Sequence, residues 1–289
     1  MQKILVPISA YLDDANSLDY ARYLALKSQA HITILYSRSR KWIQDSLDQG
    51  GIASLPPESE EVSSIKNRKV LRKLGDVVDT LKRDNIDFTF KYVPSLTIQG
   101  VSRECKEGAY DFVVLSTLPG SRIMGYLQRT YLSMIIGEID IPVLMVPGKK
   151  MFSGIESITY TVDLTDYDPS IVQQVKSLAT LFDARLNIVH VNRNEEEQEN
   201  RGQYLNSLEQ TITDTLDYPK VNYKFFDHKD AFSGIKKFVD GNNNQVVAMI
   251  SRSKFTWREL FRGTSLTRRM VKESSVPLIA FNKVKIEGQ

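Results

Sequence analysis

One pattern constrains this chain more than any other: its second half repeats its first. "AYDFVVLST" and "IPVLMVP" return as "NQVVAMISR" and "VPLIAF", and Ser116, Thr130 and Pro142 recur as Ser251, Ser265 and Pro277, each 135 residues further on. Three anchors on one spacing mark a repeat of domain size. Nearer the start of each half, "QKILVPIS" answers to "ESITYTVD" and "AHITILYSR" to "ARLNIVHVN", with Ile4 on Ile158 and Ala30 on Ala184, both 154 residues apart. The change of spacing from 135 to 154 gives the first half 19 extra residues, which fall after its second strand. The segment "KWIQDSLDQGGIASLPPESEEVSSIK" accommodates them: two glycines, two prolines and five carboxylates mark an exposed excursion, and its counterpart "NRNEEEQENRG" is a short acidic connector. A chain of 289 residues read this way has two domains, 1–148 and 154–284, joined by "GKKMFSG".

Within each half, short apolar runs alternate with segments of helical period. Residues 4–8, 32–36, 88–93, 112–115 and 143–146 read as strands, and 158–162, 186–191, 221–226, 246–250 and 278–281 answer them. Leu18, Ala21 and Ala25 lie on one helical face, as do Ile171, Val175 and Leu178, and Asp168-Pro169 has the form of an N-cap followed by proline at the first helical position. Nearly continuous apolar strands separated by helices imply a parallel sheet covered on both faces. The fold class is therefore α/β, with two doubly wound parallel-sheet domains. Each half ends in an apolar strand that would be an exposed edge if left alone, so an internal pseudo-dimer pairing Val143 to Val146 with Leu278 to Phe281 is expected.

Composition excludes several classes of function. Thirty-eight basic and 35 acidic side chains give a net charge of +3, which does not demand a polyanionic partner. The single cysteine, Cys105, rules out an internal disulfide, fits a reducing cytoplasm and reads as a core thiol. The opening "MQKILVPIS" is too short an apolar run for a signal peptide, and no stretch approaches the 18 or so apolar residues of a membrane span. His31, His190 and His228 are scattered, metal-ligand spacing is absent, and neither G-x-S-x-G nor G-x-x-x-x-G-K-[ST] occurs. His190, inside "NIVHVN", reads as a satisfied core or edge residue. No catalytic residue, metal ligand or enzymatic activity is expected.

The strand "KILVPIS" leading to a helix, "AHITILYS", "GAYDFVVLST" and a last helix running into "IPVLMVP" together resemble a tandem universal stress protein, and the resemblance spans nearly the whole chain. It implies a five-stranded parallel sheet between helices in each half, of the adenine nucleotide alpha hydrolase-like type, and a role in stress response. In the nucleotide-binding branch of that family the fourth strand is followed by G-x2-G-x9-G-[ST] and the first strand ends in Asp. Glycines let backbone amides wrap the phosphates at close range.

The first half reads Ser116-x2-Pro119-x9-Arg129-Thr130, with Ser9 at the acid position. Proline deletes an amide donor, Arg129 puts a long side chain where bare backbone should approach phosphate, and Ser9 supplies no carboxylate. The first half is expected to bind no nucleotide. The second half reads Ser251-x2-Lys254-x9-Thr264-Ser265 and keeps Asp163 at the acid position. The candidate ligand or anion residues are thus Asp163, Ser251, Lys254, Thr264 and Ser265, with an adenine nucleotide possible in this half only and no cofactor otherwise expected. Thr130 and Ser265 equally suit helix capping.

Residues 251–272 carry Arg252, Lys254, Arg258, Arg262, Arg268, Arg269 and Lys272 against Glu259 alone, interleaved with Phe255, Trp257 and Phe261. Such a stretch suits a small anionic ligand, an acidic partner or nucleic acid; the neutrality of the rest of the chain disfavours nucleic acid. The sequence therefore points to a non-catalytic regulatory or protective stress protein acting through a small ligand or a protein partner. Its rivals are an adenine-nucleotide-binding, slowly hydrolysing stress protein and a nucleic-acid-associated protein.

Overall fold

Each half of the chain forms a compact unit, Met1–Phe152 and Ser153–Gln289. The computed structural model describes residues 1–9, 15–37, 72, 75–94, 96–117, 132, 134–147, 152, 154–162, 168–192, 209–210, 212–213, 216–240, 245–251, 266–273 and 276–282. The ten strands lie where the apolar runs placed them, with ends shifted by a residue or two.

In the first unit, β1 (Lys3–Ser9), β2 (His31–Ser37), β3 (Phe88–Tyr92), β4 (Phe112–Thr117) and β5 (Val143–Pro147) form a parallel sheet in the order β3-β2-β1-β4-β5. Ile4, Leu5, Val6, Ile32, Ile34, Val113, Val114, Val143 and Leu144 are fully enclosed, as covering both faces requires. Helix α1 (Ala15–Ser28) turns Leu18, Ala21 and Ala25 into this core, the face its periodicity marked. Its first turn is tied to the end of β5, because Asn16 Nδ2 donates to the Pro147 carbonyl at 3.2 Å.

Helix α2 (Ile98–Gly108) starts where the Thr97 hydroxyl accepts from the Gly100 amide at 3.1 Å and stops at Ala109, whose φ of 48° is left-handed. One buried carboxylate fastens it to the sheet. Glu104 accepts from Lys91 Nζ of β3 at 2.5 Å and from the Tyr110 hydroxyl at 2.9 Å, so neither oxygen is left unmade. Gly108 allows the Tyr110 ring to close over the helix end; a Cβ there would lie 2.0 Å from a ring carbon.

The second unit repeats the plan. Strands β6 (Ser157–Thr161), β7 (Arg185–Asn192), β8 (Val221–Asp227), β9 (Gln245–Ser251) and β10 (Leu278–Asn282) run in the order β8-β7-β6-β9-β10. Helices α3 (Pro169–Phe182), α4 (Ala231–Asp240) and α5 (Leu266–Glu273) cover it. The register is the same as well: Ile4 pairs with Ile32 in one unit and Ile158 with Leu186 in the other. Ile171, Val175 and Leu178 of α3 are buried, and Gly234 brings α4 so close to β7 that a Cβ would stand 3.2 Å from Val191 Cγ1.

Strands β3 and β8 depart from the buried pattern because each is bonded to one neighbour only, β2 and β7 respectively, within its own unit. Phe90 and Tyr92 are 43% and 61% exposed, and β8 alternates between half-buried and exposed positions.

The N-cap read from Asp168-Pro169 is present: Asp168 has extended backbone and its Oδ1 accepts from the Ser170 amide at 2.9 Å. Replacing a capping carboxylate orphans a helix donor, so Asp168→Ala should cost about 1 kcal/mol. A urea unfolding curve with a lowered midpoint and unchanged slope is the expected result; an unchanged midpoint would show that water serves the donor equally well.

Candidate functional site

In both units the strand order reverses about the central strand. β1 is flanked by β2 and β4, and β6 by β7 and β9. Parallel crossovers are right-handed, so helices leaving the sheet in opposite directions cover opposite faces, and in sheets of this kind a crevice forms beyond the carboxyl ends of the two strands at the reversal. This is where an open α/β sheet takes a ligand, and it is where the sequence motifs start.

Ser9 closes β1 opposite Ser37. Ser116 lies on β4 beside Val146 and is 3% exposed. In the second unit Ser251 ends β9 opposite Asn282, and the register Thr161 to Met249 carries it to the strand whose continuation is Asp163. Ser251 is 1% exposed, and its Oγ has no hydrogen-bond partner. Buried hydroxyls are nearly always paired, which sets this one apart. Pro119, Arg129, Thr130, Asp163, Lys254, Thr264 and Ser265 lie outside the described residues, as do the 41–66 excursion and all of the 192–202 connector but Asn192. Helix α5 begins at Leu266, immediately after Ser265.

The basic stretch is less free than its composition suggests. Arg269 of α5 donates through Nη1 to Asp230 Oδ1 at 2.6 Å and lies over the Phe232 ring, 4.3 Å from its centroid. Asp230 caps α4 at the same time: its Oδ2 accepts from the Ser233 hydroxyl at 2.6 Å and from the Ser233 amide at 3.2 Å. Its own amide donates to His228 Nδ1 at 3.1 Å. One of the seven cations is therefore engaged with a carboxylate and an aromatic face, binding α5 to the start of α4. Sequence reading missed this partnership; the available signal was Asp230 directly before a helix with Ser233 three residues on.

His190 lies in the core, but only half satisfied. Nδ1 meets the Val162 carbonyl at 2.9 Å, while Nε2 is buried without a partner. Burial and the Glu104 carboxylate push the Cys105 thiol up to about 12, which makes it inert at neutral pH. Among the described residues no group of His, Cys, Asp and Glu is arranged to hold a metal ion, and no helix is long and apolar enough to cross a membrane. A hollow of about 570 Å³ lined by Glu156, Asp183, Arg185, Lys220, Val221 and Asn222 sits at the amino ends of β7 and β8, the wrong end of the sheet for the crevice, and the Lys220–Asp183 pair bridges its wall at 2.5 Å.

Comparison with solved structures identifies the architecture. Over 98% of its length the chain matches 93% of a protein from Pseudomonas aeruginosa UCBPP-PA14 assigned to the universal stress proteins, at 13% identity and a TM-score of 0.66. It matches 97% of a universal stress protein from Archaeoglobus fulgidus DSM 4304 over 99% of its own length, at 12% identity and a TM-score of 0.64. It also matches 94% of the cytoplasmic domain of a prokaryotic cation chloride cotransporter over 96% of its length, at 10% identity and a TM-score of 0.54. No family model matches the sequence, and no curated protein matches it significantly. The chain thus has the universal stress protein fold over nearly its whole length, an α/β Rossmann-like architecture. The cotransporter domain shows that the same architecture also serves elsewhere.

The Asp230 cluster gives a pH dependence with a definite sign. The Ser233 hydroxyl, then the Arg269 guanidinium and the Ser233 amide, hold the Asp230 carboxyl at about 2, below its ordinary 3.8. The unfolded chain therefore takes up this proton first, and the stability the carboxylate contributes is complete above pH 3.8 and lost as pH falls towards 2. Thermal unfolding between pH 5 and pH 2 should show Asp230→Asn losing less stability on acidification than the parent. Parallel curves would mean the cluster does not hold the carboxylate in the folded state.

Proposed function

We propose that this is a non-catalytic stress-response protein, regulatory or protective, that senses a small ligand in the crevice of its second unit and passes the signal to a protein partner. Ser251 carries the proposal: a buried, unpartnered hydroxyl at the carboxyl end of β9, at the reversal of strand order, where the motif begins. Asp163 follows β6 by two residues, Lys254 follows Ser251 by three, and Ser265 directly precedes α5, so the chain delivers a carboxylate, a cation and a hydroxyl towards the same end of the unit. Cations and a helix-start hydroxyl substitute for the amides that a glycine loop would supply.

The ligand class we assign is a small anion, with an adenine nucleotide as the leading member and the second unit as its only site. In this reading occupancy rather than turnover is the signal. A ligand that binds one arrangement of the crevice better than another shifts the population towards it, and the partner reads that shift. Nucleic acid is not proposed, since Arg269 is already committed and the chain as a whole is nearly neutral.

Calorimetric titration of the full chain with ATP should give at most one site per chain and return the ATP unhydrolysed. Lys254→Ala and Asp163→Ala should each weaken binding about tenfold, equivalent to about 1.4 kcal/mol, and Arg129→Ala should leave it unchanged. Two sites, or a site abolished by Arg129→Ala, would place the ligand in the first unit and overturn the assignment.

A further inference from the structure

The edge strands of the two units are not equally guarded. Strand β3 has one described neighbour, β2, and Thr89, Phe90, Lys91 and Tyr92 are all exposed along it. Two backbone bonds fix which way its residues point: the Ile32 amide donates to the Asp87 carbonyl at 3.0 Å, and the Val93 amide to the Tyr36 carbonyl at 2.8 Å. Successive residues of a parallel strand address opposite sides. Thr89 and Lys91 therefore bond to β2 as Asp87 and Val93 do, and the amides and carbonyls of Phe88, Phe90 and Tyr92 point away from the sheet. The rings of the same residues gather on one face, where the Tyr36 centroid lies 5.9 Å from that of Phe90 and 6.3 Å from that of Tyr92. A lysine on an edge strand ordinarily repels a second strand. In Lys91 that charge is already matched, because Nζ lies 2.5 Å from the buried Glu104 carboxylate on the opposite face. The equivalent residue of β8, Lys224, faces Val189 as Lys91 faces Leu35, but it is exposed and meets no carboxylate among the described residues. Tyr223 and Phe225, the equivalents of Phe90 and Tyr92, are half-buried.

We propose that β3 is a self-pairing edge, through which two copies of this chain associate as an antiparallel strand pair about a two-fold axis at Phe90. The run Phe88-Thr89-Phe90-Lys91-Tyr92 reads the same in both directions in the features such a pair needs. With Phe90 facing its own counterpart, Phe88 faces Tyr92 and Thr89 faces Lys91. Outward-pointing residues then meet outward-pointing residues, so each facing aromatic pair exchanges both of its backbone bonds. The aromatic side chains of the two copies line one face of the joined sheet, continuing the cluster of Tyr36, and cross-strand aromatic pairs are among the favourable ones. Charge selects this register. An axis at Lys91 would set two lysines directly opposite each other, and one at Thr89 would carry Lys91 and Tyr92 past the end of the facing strand. Because the axis is two-fold, the pairing closes after two copies and leaves no open β3 edge to recruit a third. The inference does not depend on the small-ligand function; it gives the first unit an interaction surface and the chain a partner in itself.

The test is sedimentation velocity of the full chain, which should show a dimer at high micromolar concentration that dissociates on dilution. Phe90→Lys and Phe90→Glu should each give a monomer with the parent's urea midpoint, because position 90 faces itself and each change sets like charges across the axis. Mixed in equal amounts, the two variants should restore the dimer. Tyr223→Lys, at the equivalent position of β8, should leave the parent dimer intact. Residue-resolved amide hydrogen exchange of the parent reads the same geometry without any substitution: the Phe90 and Tyr92 amides should slow when the protein is concentrated, while those of Thr89 and Lys91, already bonded to β2, should not change. A chain that stays monomeric over this range overturns the proposal. So does a dimer that survives Phe90→Lys, a dimer lost in Tyr223→Lys, a mixture of the two charged variants that remains monomeric, or a Phe90 amide that exchanges at the same rate at both concentrations.

Discussion

Everything in this structure that bears on function depends on the central strand of each unit having a parallel neighbour on both sides. β1 cannot reach β2 or β4 by a hairpin, nor β6 reach β7 or β9, because parallel pairing needs a crossover. The fixed hand of the crossover sends the covering helices to opposite faces on either side of the central strand, and in such sheets the reversal at the carboxyl end is where ligands are taken. The sequence satisfies this constraint with strands that are buried on both faces, apolar throughout in "ILVPI" and carrying small hydroxyls on one face in "SITYT", and the completely enclosed Ile4, Leu5, Ile158 and Tyr160 show the result. Fully burying each such side chain contributes about 1.5–3 kcal/mol, so the reversal of strand order is a by-product of the interactions that hold the fold.

On that shared frame the two units differ in a few side chains. Tyr36 stands where the second unit has His190, and Ser9 where it has Asp163. In the first unit the Asn16 amide spans from α1 to the end of β5. In the second, Asp230 joins the start of α4 to α5 through Ser233 and Arg269. A duplicated scaffold that keeps its core is free to change the residues at its strand ends.

The sequence disclosed the core more fully than the chemistry. Ile4, Ile32, Val113 and their repeats announce buried strands because an apolar side chain has one preferred place, the interior. Leu18, Ala21 and Ala25, or Asp168 before Pro169, announce a helix by local geometry. The edge strands were less legible, since "FTFKY" is as apolar as its neighbours and only the sheet order shows that Phe90 and Tyr92 meet solvent. Arg269 was read as one of seven cations open to an anion or an acidic partner because its own partner, Asp230, is 39 residues away and no local pattern joins them. His190 was read as satisfied because a sequence reports which polar groups exist, whereas the partner of each ring nitrogen is decided by packing. The glycine-free motif was plain from the start, and Ser251 shows its first position buried and unpaired; Lys254, Thr264 and Ser265 lie beyond the described residues.

The central claim is that the second unit holds a small ligand without turning it over. Native mass spectrometry of the full chain, purified quickly in volatile buffer, tests it directly. The account predicts a species heavier than the bare chain by one small molecule, retained in Arg129→Ala and lost in Ser251→Val, where a methyl fills the position of the hydroxyl. A chain that always appears at its bare mass, even with ATP and adenosine added in excess, would contradict it.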